Sequence, residues 1–381
     1  MPRPHASRWM TDELDAFRHA VRSFVRDTFV PRQSAWRAAR GPDARAWTDA
    51  GAAGLLAPDV PATYGGAGGT FAHQAIVLEA LARAGVNFGA SVQGIVARYV
   101  LAYATEEQKR AWLPYLVSGE LVAAIAMTEP AAGSDLQAIT TRATRDGDAY
   151  VIAGRKTLIT NGARANFVCL AARTGDQPGP GGISMIFVDA RGLDGYRAGP
   201  PLEKIGQHDQ DTAELTFDDV RVPAACVAGG RPGRGFLQMM EQLPYERLSI
   251  AVQAIASAEE ALDQTIARAK TRQVFGKPLI DLQGPRFSLA ECATAVRVGR
   301  VFVDDCIDQL LAGRLAPDTA AMAKYWLTDC QSRVLDVCLQ LHGGVGYLAD
   351  SPVGRMWADT RMARIGGGTS EIMKEVIGWS L

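Results

Sequence analysis

The sequence predicts a mainly α-helical protein with a central β-domain, and three patterns support this prediction. Apolar residues recur at every third or fourth position toward both ends of the chain, whereas short apolar runs broken by Gly, Pro, Asp and Asn occupy its middle. The length of 381 residues suits two or three packed domains at roughly 150 residues each. We therefore expect an N-terminal α-helical domain at residues 1–123, a middle β-domain at residues 124–232 and a C-terminal helical bundle at residues 233–381.

The N-terminal part shows helical spacing first between Leu14 and Phe24, where apolar residues recur at spacings of three and four. Because proline cannot continue a helix, we expect Pro31 to end this one. A loop rich in Pro and Gly at residues 58–69 then precedes a second helical stretch at residues 71–84.

The middle part changes to strand-like patterns. Four short apolar runs predict strands, at residues 149–154, 167–172, 183–188 and 213–217. Asp146-Gly147, just before the first run, is a hairpin turn signal. Turn residues follow at intervals of about ten, as expected for a small β-domain.

After Gly235 helical spacing returns in three long stretches. Pro244, Pro285 and Pro317 stand at positions typical of helix starts. If Pro244 begins the first stretch, Glu246 lies in the first helical turn, where an acid complements the helix dipole. The alternative for the same residue is a general base, a carboxylate whose environment adjusts its pKa to its task.

Composition and charge argue against several classes of protein. Forty basic and 41 acidic residues leave a formal net charge of −1, which does not suit a nucleic-acid binder or a polybasic lipid anchor. The longest charge-free run, Val60–Leu78, contains Pro61 and four glycines, so we expect a loop and a helix there, and no membrane span. Arg3 and Arg8 interrupt the stretch in which a signal peptide would be apolar.

The six cysteines are scattered and form no CxxC pair. They are typical of reduced core thiols, so we expect a cytoplasmic protein with no metal site. No Walker loop, GxSxG elbow, HExxH motif or GxGxxG motif occurs in the sequence.

Six polar or glycine-bearing segments remain as candidates for chemistry, and each also has a purely structural interpretation. Met127–Asp135 is either a phosphate or ring-edge site or an ordinary turn, and Leu158–Gly162 is either a ring contact or a hairpin turn. Leu243–Leu248 contains either a general base or a helix start, and Arg272–Lys277 is either a pyrophosphate site or a solvated basic turn. Leu339–Tyr347 and Ile365–Glu371 are either anion sites or helix caps.

Taken together, the order and spacing of these segments closely resemble the acyl-CoA dehydrogenase family over essentially the whole chain. The matching motifs are Thr128-Glu-Pro followed by Gly-Ser-Asp, Ile159-Thr-Asn-Gly, Arg272 with Phe275-Gly-Lys, Gln340 with Gly343-Gly344, and Gly368-Thr369. The resemblance implies a helical domain, a β-barrel-like middle domain and a four-helix C-terminal bundle. It also implies FAD bound between these domains and a homotetramer, a dimer of dimers, in which FAD touches a neighbouring subunit.

The resemblance further implies a reaction, the removal of an α-proton and a β-hydride from an acyl thioester to give the trans-2-enoyl product. Many members carry the proton-abstracting carboxylate immediately before the last Gly-Thr, where this chain has Gly367. Isovaleryl- and long-chain-type members carry it on the long bundle helix instead, in a segment ending Glu-Arg-Leu. Glu246 stands at that place here, so we expect Glu246 to be the base and the Gly367 N–H to hold the substrate carbonyl.

By the same resemblance, two groups of residues are expected to bind ligands. The residues expected to bind FAD, some of them in a partner subunit, are Met127, Thr128, Gly133, Ser134, Ile159, Thr160, Arg272, Phe275, Gln283, Gln340, Gly343, Gly344, Thr369 and Glu371. Those expected to bind the acyl-CoA are Ser134, Tyr245, Arg247 and Gly368. Leu158 stands where the family often has an aromatic residue, so stacking on the flavin face is lost there.

The detailed likeness is to the long-chain type, and the family resemblance implies an electron-transfer flavoprotein as acceptor. Three alternatives remain open from the sequence. They are a thioester on an acyl-carrier protein instead of CoA, an oxidase or flavin monooxygenase on the same fold, and a catalytically inactive flavoprotein scaffold.

Overall fold

The computed structural model describes residues 7–381, so Arg3 and the first six positions of the predicted N-terminal domain lie outside the described residues. The described chain starts with helices, one of which, at Phe71–Arg83, confirms the predicted stretch 71–84 to within one residue. In order they are α1 (Asp12–Phe24), α2 (Gln33–Ala39), α3 (Ala44–Ala52), α4 (Phe71–Arg83), α5 (Ala90–Tyr103) and α6 (Glu106–Ser118).

Pro31 does not end the helical path, contrary to the prediction. From α1 the chain continues through a π-helical turn at Val25–Phe29 and a 3₁₀ turn at Val30–Arg32 directly into α2. Pro31 lies at the start of the 3₁₀ turn, a position where its missing N–H and fixed φ are tolerated. The buried Val25 and Phe29 hold this segment in the core, so packing outweighs the local rule.

The middle of the chain forms a curled seven-stranded sheet. Its strands are β1 (Ala123–Ala126), β2 (Arg142–Asp146), β3 (Ala149–Thr160), β4 (Phe167–Arg173), β5 (Ile183–Asp189), β6 (Tyr196–Ala198) and β7 (Thr212–Pro223). The order is β1-β4-β2-β3-β7-β6, β5 pairs with β4, and β1 runs parallel to β4. β4 and β5 are buried on both faces, which explains why they are continuous apolar runs in the sequence.

The remainder is helical and follows α7 (Gly235–Thr271), a short hairpin of β8 (Gln273–Val274) and β9 (Lys277–Pro278), α8 (Gln283–Leu311), α9 (Pro317–His342), α10 (Pro352–Thr360) and α11 (Ser370–Gly378). Helices α7, α8 and α9 pack against one another, and α10 and α11 pack on α9. The predicted fold class of helices, β-domain and helical bundle is thus confirmed.

Pro244 does not begin a helix, which corrects the second proline prediction. It is the tenth residue of α7, so Glu246 lies in the helix interior and has no role at the helix N-terminus. An internal proline costs about 3 kcal/mol because it removes one hydrogen bond and crowds the preceding turn. The neighbouring side chains Met239, Leu243 and Tyr245 are buried, and their packing offsets this cost.

The N-terminal helices dock on the bundle through α4 and α7. Arg83 at the end of α4 donates to Glu259 of α7 over 2.7 Å, and Arg300 of α8 donates to the same carboxylate over 2.8 Å. This contact holds α4 beside α7 and so sets the width of the space between them. Among the described residues, no helix combines the length and the apolar character needed to cross a membrane.

Candidate active site

A cavity of about 260 Å³ lies where the N-terminal helices, the sheet and the bundle meet. Apolar residues of α4 and α5, such as Leu78, Leu81 and Ile95, line one side. Glu246 of α7 and Gly367 of the loop before α11 line it as well, so the structure brings the two predicted catalytic residues to the same space. None of the described lining residues is Lys, Arg or His.

Glu246 is 8% exposed. Its Oε1 accepts a hydrogen bond of 3.2 Å from the hydroxyl of Tyr99, a fully buried residue of α5. Burial raises the pKa of Glu246 to about 7, although the Tyr99 hydrogen bond and the charge of Arg247 act in the opposite direction. A carboxylate with a pKa in this range can take a proton from a weakly acidic carbon and release it again near neutral pH.

Two buried basic residues stand behind the acid. Arg247 is 5% exposed, and its Nε has no hydrogen-bond partner among residues 7–381. Lys324 of α9 is fully buried and donates from Nζ to the carbonyl of Gly368 over 2.6 Å. Burial, and then the charge of Arg247, lower the pKa of Lys324 to about 8. Lys324 thereby tethers the loop that carries Gly367.

That loop needs glycine at position 367 for two reasons. The φ of Gly367 is +68° and that of Gly368 is +95°, both in the region that side chains with a Cβ rarely adopt. A Cβ at position 367 would lie 2.6 Å from Cδ1 of Ile250, one turn beyond Glu246 on α7. The glycine therefore allows close contact between the loop and the helix that carries the acid.

The segment around Thr128 is held by a buried ion pair. Lys156 of β3 is fully buried and donates to Glu129 over 2.8 Å and to the carbonyl of Met127 over 2.9 Å. Burial opposes ionisation of Glu129, but the Lys156 ammonium group and further hydrogen bonds, including that from the Thr140 N–H, lower its pKa to about 2. The polar loop after β1 is thus fixed against the sheet.

Other predicted cofactor residues lie along the same edge of the sheet. β3 is irregular between Lys156 and Ile159, and Leu158 in this bulge has a φ of +58° and is 63% exposed. After the bulge Ile159 is buried, and Thr160 lines the cavity.

The predicted cofactor residues after β1 and those that open α11 include both exposed and partly buried positions. Gly133, Ser134 and Glu371 are exposed, Met127 and Thr128 are half-buried, and Thr369 caps α11 by accepting from the N–H of Ile372.

A second group of predicted FAD residues lies far from Glu246. These exposed residues cluster at the distal end of the bundle, and they are Arg272, Phe275, Gln283, Gln340, Gly343 and Gly344. The Arg268 guanidinium donates to the carbonyl of His342 over 3.4 Å, which holds the ends of α7 and α9 together there. At about 1.5 Å per residue, Arg272 is about 39 Å along α7 from Glu246.

Tyr245 does not line the cavity, although it was expected to bind the acyl-CoA. It is 3% exposed, and its hydroxyl donates to Asp59 over 3.1 Å while Arg98 lies over its ring. Consecutive positions on a helix point in different directions, so Glu246 faces the cavity and Tyr245 faces the N-terminal domain.

Tyr99, Lys156 and Lys324 belong to none of the predicted functional residues. Lys324 carries a signal, because it is the one charged residue of the apolar stretch at residues 320–327, whereas Lys156 follows Arg155 outside the predicted strand at residues 149–154. A lysine that is fully buried needs a partner, and both have one. Tyr99 had no comparable signal.

Comparison with known protein families matches three models in series. The acyl-CoA dehydrogenase N-terminal domain matches residues 11–120, the middle domain matches residues 124–220 and the C-terminal domain matches residues 233–381.

Comparison with individual proteins finds similarity over nearly the whole chain. The long-chain specific acyl-CoA dehydrogenase of mitochondria from Sus scrofa is 40% identical over 374 residues, which cover 97% of this chain and 86% of that protein. The crystal structure of an acyl-CoA dehydrogenase from Geobacillus kaustophilus superposes with a TM-score of 0.96 at 40% identity, covering 98% of this chain and 99% of that one. A glutaryl-CoA dehydrogenase from Mycobacterium smegmatis in complex with FADH2 superposes with a TM-score of 0.91 at 26% identity, covering 98% and 95%.

Proposed function

The chain belongs to the acyl-CoA dehydrogenase family, and from this membership we propose that Glu246 is the catalytic base of its reaction. The reaction is the FAD-dependent α,β-dehydrogenation of an acyl-CoA, an oxidation of a CH–CH group. The observation that carries the proposal is the buried Glu246 carboxyl group in the wall of the cavity that Gly367 also lines, with a pKa raised to about 7.

The polar groups around the cleft fit FAD. Two buried polar atoms there have no hydrogen-bond partner among the described residues, Nε of Arg247 and Oγ of Ser370 at the start of α11. The hydroxyls of Thr128 and Thr160 add donors for a heterocycle edge, and the N-terminus of α11 offers free backbone N–H groups for an anionic group. We assign these groups, with Ser134 and Thr369, to the FAD of the same subunit.

Glu246 acts on the substrate as follows. Because Tyr99 occupies Oε1 with its hydroxyl, the remaining lone pairs of the carboxylate are free for the α-proton. As the Cα–H bond breaks, its electron pair forms the new Cα–Cβ double bond and the proton goes to Glu246. When bound, FAD supplies the acceptor for the hydride that leaves the β-carbon. The apolar side of the cavity keeps water from competing for the base.

The substrate carbonyl needs a donor because negative charge builds up on it as the proton leaves. We assign this task to the Gly367 N–H. Lys324 supports it by holding the adjacent Gly368 carbonyl at 2.6 Å, so the donor is placed before the substrate arrives. Because this N–H is already oriented, the site does not have to rearrange while charge develops on the substrate carbonyl.

The substitution Glu246→Gln tests the base. It keeps the size of the side chain and removes its basicity, so we expect protein that still binds FAD and loses about 10²–10⁴-fold in the rate of flavin bleaching by acyl-CoA under anaerobic conditions. Glu241→Gln is the matched control, since Glu241 lies on the same helix and is exposed. Bleaching by Glu246→Gln at a rate similar to that of the control would show that Glu246 is not the base.

The distant FAD residues support a homotetramer in which one subunit completes the site of another. Residues about 39 Å along α7 from Glu246 cannot contact a flavin ring at the acyl group of the same subunit. The same end of the bundle exposes apolar side chains that a monomer would leave in water, including Phe275 at 91% and Tyr347 at 87%. Arg272, Phe275, Gln283 and the segment 340–344 would then bind the partner's FAD.

Phe275→Ser tests this assembly. We expect smaller oligomers by light scattering together with loss of FAD, because the interface and the cofactor site are the same surface. Tyr115→Ser is the control, because Tyr115 of α6 is also an exposed aromatic residue, at 42%, and lies on another face. An unchanged oligomer that retains its FAD would contradict the proposal.

Three further parts of the proposal rest on the family resemblance and on composition. We propose a long-chain acyl class as substrate, consistent with the 40% identical relative, and an electron-transfer flavoprotein as acceptor of the electrons. We propose domains at 1–123, 124–232 and 233–381, and a cytoplasmic location, with which six free cysteines, five of them buried, are consistent. Cell fractionation tests the location.

A further inference from the structure

One wall of the cavity is polar over several helical turns beyond the catalytic acid. Ser249, Gln253 and Ser257 follow one another at four-residue spacing on α7, and all three line the cavity on the same side as Glu246. The first two are engaged locally, since the Ser249 hydroxyl donates to the carbonyl of Tyr245 and the Gln253 amide donates to the carbonyl of Ser249. Ser257 makes no side-chain hydrogen bond within residues 7–381 and is 5% exposed.

A second helix presents an unsatisfied polar group to the same space. Gln331 of α9 lines the cavity and is 4% exposed, and its Oε1 has no hydrogen-bond partner among the described residues. Buried side-chain amides are normally bonded, because an unpaired one loses its hydration without compensation. Proton transfer at Glu246 uses neither Gln331 nor Ser257.

Contacts between α7 and α9 place these two residues at the same level. The Arg268 guanidinium donates to the carbonyl of His342, so facing positions of these parallel helices differ by about 74 in residue number. By the same offset Gln331 lies level with Ser257. The two side chains therefore lie on neighbouring helices at one depth of the cavity.

The inference rests on the proposed function and names its substrate class. We propose that Gln331 and Ser257 form a subsite for a hydroxyl group on the acyl chain, and that the enzyme acts on hydroxylated long-chain acyl-CoA. A hydroxyl both donates and accepts, so it satisfies the Gln331 amide and the Ser257 hydroxyl together. A hydrocarbon chain at this depth leaves both polar groups unpaired.

A charged substituent does not suit this place. None of the described residues that line the cavity is basic, and the carboxylate of Asp359 is among the lining residues. Asp209 lies directly behind it, since Asn87 donates to both carboxylates over 2.9 Å. The Arg37 guanidinium lies within 3.9 Å of both carboxylates and offsets their charge. A terminal carboxyl group is disfavoured because no described lining residue is a cation that could pair with it, whereas a neutral hydroxyl needs only hydrogen-bond partners.

The depth of the subsite fixes where the hydroxyl stands on the chain. Ser257 is eleven positions after Glu246, or about 16 Å along α7 at 1.5 Å per residue. An extended chain of tetrahedral carbons advances roughly 3.8 Å for every three bonds, so the hydroxyl is on the order of a dozen bonds from the α-carbon.

The test compares kcat/KM of the FAD-loaded enzyme for three acyl-CoAs of equal length. One carries a hydroxyl about a dozen bonds from the α-carbon, one is unsubstituted and one ends in a carboxylate. We expect kcat/KM for the hydroxylated substrate to exceed that for the unsubstituted one by at least about tenfold, because a chain without the hydroxyl leaves buried polar groups of the enzyme unpaired. We expect the carboxylate to be the poorest of the three.

Gln331→Leu should lower the ratio of hydroxylated to unsubstituted kcat/KM by about tenfold, mainly by improving the unsubstituted substrate. Ser257→Ala is a milder second variant that should shift the ratio in the same direction. Ser332→Ala is the control, because Ser332 follows Gln331 on α9 and its hydroxyl donates to the carbonyl of Thr328.

Two results would overturn the inference alone. They are equal use of hydroxylated and unsubstituted chains by the unmodified enzyme, or a ratio that neither variant at 331 or 257 changes. Either would mean that water satisfies the two polar groups. Failure of every acyl-CoA to bleach the flavin is a different outcome, because it overturns the proposed function and the inference with it.

Discussion

Removing the Tyr99 hydroxyl should change the pH at which the enzyme becomes active. Tyr99 donates to Oε1 of Glu246 over 3.2 Å, and both residues are buried. In Tyr99→Phe the ring remains, but the carboxylate loses the hydroxyl donor that stabilises its charged form. The pKa of Glu246 should therefore rise above its already raised value of about 7.

The size of the shift follows from the strength of the bond. A hydrogen bond to a charged group contributes roughly 1.5–3 kcal/mol, and about 1.4 kcal/mol corresponds to one pKa unit, so we expect a rise of at least about one unit. The carboxylate is the active form, and its fraction at pH 7 then falls from about one half to about one tenth. We therefore expect kcat/KM at pH 7 to fall about fivefold and to recover at higher pH.

The assay is the pH profile of kcat/KM, which reports the essential groups of the free enzyme. The rising limb of Tyr99→Phe should move to higher pH while the plateau stays near that of the unmodified enzyme. Tyr103→Phe is the control, because the Tyr103 hydroxyl bonds to Glu241 and Gln242 and not to Glu246. A limb that stays in place, or an equal loss of activity at every pH, would refute the reasoning.

Two further predictions concern the loops that frame the site. In Gly367→Ala a side chain at φ +68° should cost about 1–2 kcal/mol and its Cβ would meet Ile250, so we expect a melting temperature lower by a few degrees and a reduced kcat/KM. Adding Ile250→Ala should relieve the contact but not the backbone strain. An unchanged melting temperature in Gly367→Ala would contradict the prediction. Lys156→Met leaves the buried Glu129 carboxylate unpaired, so the free energy of unfolding measured in urea should fall by about 3–5 kcal/mol. Adding Glu129→Gln should recover most of this loss. A Lys156→Met protein as stable as the unmodified one would show that the ion pair does not hold the loop.

Much of the fold could be predicted from periodicity, because the spacing of apolar residues records which face of an element is buried. The helix at Phe71–Arg83 and the strands at Phe167–Arg173 and Ile183–Asp189 lie where the apolar patterns predicted them. The predictions of a helix end at Pro31 and a helix start at Pro244 were wrong. Pro31 and Pro244 lie within helical segments, because tertiary packing compensates for a lost hydrogen bond that local rules treat as a stop.

The candidate site was predictable in part. The polar segments around Thr128 and Gly367 have a defined order in the chain, and that order identified the family and hence the cofactor and the reaction. Tyr245 shows the limit of such reasoning, since it stands next to Glu246 in the sequence and points away from the cavity. Which of two neighbouring side chains faces a cavity depends on how the helix is rotated in the bundle.

The sequence by itself determined the family and the fold class, and it identified Glu246 as the candidate base. Only the tertiary structure decided what that acid can do. Burial between helices raises its pKa, and a hydrogen bond from a tyrosine 147 positions away limits that rise. The proposed hydroxyl subsite likewise joins Ser257 to Gln331 across two helices. Desolvation and unpaired polar groups are properties of the space around a residue, and in this chain that space is built by segments that are distant in sequence.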